Sequence, residues 1–287
     1  MGTLGNLLRN VGSMENKGME FTLNTANIKN ENFTWNTNFN ISFNKNKITS
    51  LKYMENIDKA GIEGMGKLVL LTTGQAVGTF FGYKVEGVDP ATGNIIYADV
   101  NGNGIKNIGP NGEVFDTGDR TFIGDPNPDY TFGFSNNFTY KNWYLDTLIT
   151  GSIGNEIYNA SRFELELMND FKNQSTAVLD RWTTVGQVTN VPRANSLSAM
   201  AISDRFVEDG SYVKLKSVTL GYNFKNPFKG VSKLNVYATG QNLYTITDYS
   251  GFDPEVNAFA SSNGILGIDY GTYPQVRTIV LGLKANF

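Results

Sequence analysis

Between Phe33 and Asn44 the chain reads FTWNTNFNISFN. Phe33, Trp35, Phe39, Ile41 and Phe43 are apolar at odd positions, with Thr37 among them, while Thr34, Asn36, Asn38, Asn40, Ser42 and Asn44 are polar at even ones. Successive side chains of a β-strand point to opposite faces, so a period of two predicts a strand with one apolar and one wet face. The pattern recurs at Met19, Phe21 and Leu23, at Tyr130, Phe132, Phe134, Phe138 and Tyr140, and at Trp143, Leu145, Thr147 and Ile149. It returns at Val218, Leu220, Tyr222 and Phe224, more weakly in LNVYATGQNLYTIT, and finally at Ile279, Leu281, Leu283, Ala285 and Phe287. Seven long strands are thereby predicted. A soluble sandwich also alternates, but its strands run to about five or six residues, and here the apolar face is rich in aromatic rings.

The connections alternate in length. Residues 29–32, 141–142 and 225–233 are short polar turns, whereas 45–128, 152–208 and 247–274 are long. Long structureless loops are unexpected inside a compact soluble domain. Short turns on one side and long loops on the other, with strands of about 9–11 residues or more, match an outer-membrane barrel. An open edge in lipid would leave backbone groups unsatisfied, and single-chain bacterial barrels have even strand numbers. Seven strands therefore predict a piece of a larger barrel.

Composition narrows the chemistry. The 287 residues include no Cys and no His, with 31 Gly, 19 Phe and 14 Tyr. That removes disulfides, thiolate metal sites and the commonest general base, so an enzyme is the weakest reading. A net charge of -3 offers no basic stripe for nucleic acid. No stretch approaches the roughly 18 apolar residues of a membrane-spanning helix, and MGTLGNLLRN lacks the form of a signal peptide.

Several segments in order carry a resemblance: NVGSMENKGMEFTL, FTWNTNFNISFNKNKITSL, GVDPATGNIIYADVNGNG, GDRTFIGDPNPDYTFGFSNNFTYKNW, GSIGNEIYN, DRFVEDGSYVKLKSVTLGYNF, LNVYATGQNLYTITDYSGFDPEV and TYPQVRTIVLGLKANF. Together they resemble the C-terminal part of a SusC/RagA-type TonB-dependent outer-membrane transporter of Bacteroidetes. The resemblance implies an all-β fold, an antiparallel transmembrane β-barrel of about 22 strands of which this chain supplies seven. It implies that residues 1–287 are one C-terminal segment without the plug domain or signal peptide, located in the outer membrane. The implied partners are a SusD-like surface lipoprotein, TonB through the missing N-terminal part, the barrel-assembly machinery, membrane lipid, and an oligosaccharide or peptide to be imported. Two other readings stay open: a small self-contained barrel acting as pore or adhesin, and a soluble β-sandwich that binds carbohydrate.

Candidate sites are few. DVNGNG places Asp99, Asn101 and Asn103 at the first, third and fifth positions of a calcium-type loop, with Gly104 at the turn. Position twelve is Pro110 rather than a bidentate Glu, and Asp119, beyond an insertion, is the implied later acid. The same residues favour a plain turn. In YSGFDPEV, Tyr249, Phe252, Asp253 and Glu255 could stack on and hydrogen-bond a ligand, or simply brace a long loop; Trp182 shares that ambiguity. Pro126 and Pro128 fix where the following strand can begin. Residues 161–171 predict a short helix on which Glu164 and Glu166 do not face each other, which argues against a glycosidase pair. Gly282, Ala285 and Phe287 fit the C-terminal signal read by the barrel-assembly machinery, from which Val280 departs.

Overall fold

The computed structural model describes residues 12–52, 56–59, 67–104, 117–259 and 264–287. The chain starts with two long strands, β1 (Gly12–Lys29) and β2 (Phe33–Leu51). Six short ones follow: β3 (Asn56–Lys59), β4 (Val69–Thr72), β5 (Phe80–Gly82), β6 (Val85–Val88), β7 (Ile95–Tyr97) and β8 (Thr121–Gly124). Next come β9 (Tyr130–Tyr140), β10 (Trp143–Ile153) and the short β11 (Glu156–Asn159), which runs into helix α1 (Ala160–Glu166). The remainder is β12 (Val207–Asp209), β13 (Tyr212–Phe228), β14 (Val231–Thr247), the two-residue β15 (Ile268–Asp269) and β16 (Thr278–Asn286).

All seven long strands predicted from alternation are present and form one sheet in the order β1-β2-β9-β10-β13-β14-β16, antiparallel throughout. The sheet does not close. Among the described residues no sheet closes into a barrel, which overturns the expected antiparallel transmembrane β-barrel for this chain. The reason lies in the strand count. In an antiparallel sheet of seven, the two edge strands run in the same direction, so joining β1 to β16 would force a parallel seam into an antiparallel ladder. Among the described residues both edges accordingly stay unpaired.

One face carries the aromatic stripe. Trp35 stacks on Phe138 with centroids 5.6 Å apart, and Trp143 meets Tyr222 edge-on at 4.8 Å. The face remains largely uncovered: Leu281 is 81% and Leu283 68% exposed. Its polar interruption is internally satisfied, since Asn136 Oδ1 accepts from Trp35 Nε1 at 2.9 Å and from Thr37 Oγ1 at 2.7 Å. The other face bears the polar residues, as in the bonds Asn38 to Asn24 and Asn137 to Asp146. It also carries a row that alternates Tyr144, Gly221, Tyr237 and Gly282 across β10, β13, β14 and β16. Each tyrosine ring lies on an opposed glycine. A Cβ at Gly221 would sit 2.3 Å from Tyr144, and one at Gly282 would sit 2.1 Å from Tyr237.

The principal hydrophobic core is not in this sheet. Leu68, Val69, Phe80, Tyr158, Phe206 and Ile268 are all essentially inaccessible and belong to one cluster. They come from the three long connections, which fold into three small sheets (β3-β4-β5-β8, β6-β7 and β12-β11-β15) and α1. The predicted loops are thus a packed domain joined to the sheet through β2, β9, β10, β13, β14 and β16. Helix α1 begins at Ala160, because Asn159 Oδ1 accepts from Arg162 N at 2.9 Å. It stops well short of the predicted Phe171, since Met168 takes a positive φ of 53°.

Candidate ligand-binding loops

The segment after β14 divides its candidate residues between two tasks. Tyr249 is buried, and its hydroxyl donates to Asp269 Oδ2 at 2.6 Å. Burial, followed by that carboxylate, pushes the phenol far above its ordinary pKa. Asp253 and Glu255 point back to β13. Lys214, only 1% exposed, donates from Nζ to Asp253 Oδ1 at 3.0 Å, Asp253 Oδ2 at 3.3 Å and Glu255 Oε2 at 2.6 Å. Glu255 also accepts from Lys216 at 2.8 Å and from the Tyr212 hydroxyl at 3.1 Å. Burial raises the Glu255 pKa, but the hydrogen bonds from the two lysines prevail and hold it below the usual carboxylate range. Asp253 further accepts from the backbone N–H groups of Glu255 and Gln275. These acids are the loop's anchor; their hydrogen-bonding capacity is spent on the protein.

Phe252 stands apart, 88% exposed at the border of a cavity of about 510 Å³. Asn159, Arg162, Leu165, Ser250 and Asp269 also line it. Arg162 donates to Glu166 Oε1 from Nε at 2.7 Å and to Glu208 Oε1 from Nη1 at 2.9 Å. Glu208 accepts in addition from Ser250 N and Oγ, both at 2.9 Å. Burial raises the Glu208 pKa, yet the Ser250 and Arg162 bonds outweigh it and keep the group ionised to lower pH than usual. The result is a fixed polar floor with one exposed aromatic ring beside it, a form suited to a ligand with one apolar and one hydrogen-bonding surface. Glu164 and Glu166 are split between different cations, Lys172 and the Arg162–Arg205 pair.

The remaining candidates lie away from this cavity. Trp182 Nε1 donates to Pro90 O at 3.0 Å, and its ring covers Gly93, where a Cβ would approach to 2.5 Å. It braces the loops. In the acidic loop, Asp99 Oδ1 accepts from Gly102 N at 2.7 Å and Asn103 N at 3.1 Å, and Oδ2 accepts from Gly104 N at 2.8 Å. Asn101 Oδ1 accepts from Asn103 N at 3.0 Å. Asp119 is indeed brought to this loop, its Oδ1 accepting from Val100 N at 2.9 Å and Asn101 N at 3.2 Å. Pro110 lies outside the described residues. Among the described residues no group of three or more His, Cys, Asp or Glu is placed to hold a metal ion. Gly282 and Ala285 sit within β16, and Phe287 follows it fully exposed. Sequence reasoning missed Lys214, Lys216, Arg162 and Glu208; the two lysines on one strand opposite two acids in a later loop were the available signal.

No family model matches the chain. Known proteins do. The chain is 38% identical to TonB-dependent receptor P3 of Formosa agariphila over 305 residues, which cover 98% of this chain and 29% of that receptor. It is 31% identical to TonB-dependent receptor SusC of Bacteroides thetaiotaomicron over 298 residues, covering 98% of this chain and 27% of SusC. This chain is homologous to SusC-type TonB-dependent receptors. It spans about three-tenths of the length of the curated relatives it matches. Among solved structures the RagAB peptide transporter shares the fold, with a TM-score of 0.78 at 24% identity over 97% of this chain and 30% of that one. The homologues are outer-membrane receptors of Bacteroidetes, consistent with outer-membrane localisation, and the family is one of transporters rather than catalysts.

Proposed function

We propose that this chain is part of a TonB-dependent transporter that imports an oligosaccharide or a peptide together with a SusD-like lipoprotein. The observation that supports this reading is similarity along 98% of the chain to four TonB-dependent receptors, SusC included. Within that role the loop domain contributes ligand contact at the cavity bordered by Phe252, while Tyr249, Asp253, Glu255 and Trp182 hold the loops in place. Exposed aromatic rings beside a polar floor are effective recognition surfaces because the ring adds contact area at little cost in conformational entropy.

The test uses the full-length receptor carrying this segment. Affinity purification of the tagged receptor should recover a lipoprotein of the SusD kind, and ligand uptake should stop when TonB is removed. Phe252→Ala should leave the melting temperature unchanged, as surface changes stay within about 0.5 kcal/mol, and should weaken ligand capture about tenfold. Uptake independent of TonB with no lipoprotein recovered would overturn the transporter reading. Unchanged capture by Phe252→Ala would overturn only the assignment of the cavity.

A further inference from the structure

On the polar face, near the turn between β13 and β14, a concavity of about 290 Å³ is lined by Tyr144, Asn223, Lys233, Asn235, Lys284 and Asn286. Its hydrogen bonds run in one direction. The Tyr144 hydroxyl donates to Asn235 Oδ1 at 3.2 Å, and Asn235 Nδ2 donates to Asn223 Oδ1 at 3.1 Å. Both amide oxygens are thereby taken from within the network, and the chain of bonds ends on the Asn223 amide donors. Tyr144 is fixed in this role because its ring rests on Gly221.

The charges are just as one-sided. Lys225 and Lys233 lie directly opposite each other in the register, and Lys284 is in the next row, opposite Asn235. Like charges placed opposite one another destabilise a sheet. Among the described residues none of the three makes an ion pair, and no acidic side chain lines the concavity. Elsewhere on β13 the structure does pair its lysines, Lys214 and Lys216, with carboxylates.

We propose that this concavity binds a phosphate-class anion, held by Lys233 and Lys284 and by the donor end of the Tyr144–Asn235–Asn223 chain, with Lys225 adding to the field. The phosphate could be carried by a free phosphate compound or by a lipid headgroup; the recognition chemistry is the same.

The experiment is calorimetric titration of the purified full-length receptor, in a phosphate-free detergent, with inorganic phosphate at constant ionic strength set by chloride. A parallel titration uses a short-chain phosphatidylglycerol. Saturable binding of either probe is expected, with phosphatidylglycerol the tighter of the two if the natural source is a headgroup. Lys233→Gln with Lys284→Gln should weaken binding at least about tenfold, the loss of charge-assisted bonds. Lys233→Arg with Lys284→Arg should retain binding, which separates loss of charge from loss of fold. Tyr144→Phe should weaken it about threefold by freeing the Asn235 oxygen. No saturable binding of either probe, or binding indifferent to the Gln pair, would overturn the proposal. So would a hexaglutamate peptide that saturates the site when neither phosphate probe does, because that would assign the surface to an acidic protein segment.

Discussion

Lys214→Met is the most direct test of how the loop domain is tied to the sheet. Methionine keeps the unbranched stem and removes one cation with three hydrogen bonds to Asp253 and Glu255. Glu255 retains Lys216 and Tyr212, whereas Asp253 keeps only two backbone N–H donors. Breaking a buried ion pair from one side costs about 3–5 kcal/mol, chiefly through the charge left behind. The low end applies because Glu255 stays partnered and is partly exposed, so roughly 3 kcal/mol is expected, about two orders of magnitude in the local opening constant. Hydrogen exchange read by mass spectrometry should show the amides of residues 250–256 exchanging about a hundredfold faster, while those of β10 keep their wild-type protection. Adding Asp253→Asn should restore much of the loss, since no unpaired charge would then be buried. Exchange within about threefold of wild type in Lys214→Met, or a double variant no better than the single one, would refute the anchor.

Other outcomes follow from the same structure. Glu255 and Glu208 have lowered pKa values in the folded chain, so the stability they confer is complete above the ordinary glutamate value of 4.5 and is lost as pH falls through their lowered values. Exchange in residues 250–256 should therefore accelerate only below that value, and Glu255→Gln should flatten the acid limb. Gly221→Ala drives a Cβ into Tyr144 and should cost about 1–3 kcal/mol by overpacking, seen as a fall of several degrees in Tm; Tyr144→Ala in the same chain should relieve the clash. Asp119→Ala leaves the backbone N–H groups of Val100 and Asn101 without their buried acceptor and should cost about 1–3 kcal/mol, whereas Asp119→Asn, which keeps an oxygen there, should cost less in the same melt.

The long strands were legible because a sustained run of alternating positions leaves little room for another period, and β9 and β10 match the predicted runs closely. That these strands do not close on themselves was legible only in their odd number, since closure depends on the relation between the first and last strands rather than on any local pattern. The loop core was missed for a different reason. β5, β7, β12 and β15 are two or three residues long, too short to show a period, and Phe80, Ile95 and Ile268 become core only through one another. Within the candidate site, YSGFDPEV was visible as a place where aromatic rings and carboxylates gather, but which of its residues faced outward depended on Lys214, far away in the chain. The aromatic at 252 and the carboxylate at 253 have neighbouring places in the sequence and opposite destinations in the fold.

The row Tyr144, Gly221, Tyr237, Gly282 bears on how a sheet of such uniform strands finds its alignment. Alternation of apolar and polar residues specifies only parity: a slip of one residue turns every side chain over, but a slip of two preserves both faces. Shifted by two, Tyr144 would meet Thr219 or Asn223, and Tyr237 would meet Val280 or Lys284, with no vacant slot beneath either ring. The glycines thus behave as keyholes cut for particular rings. They supply the integer that the hydrophobic code leaves undetermined, and a glycine that looks dispensable in its own strand is half of a lock whose other half lies one strand away.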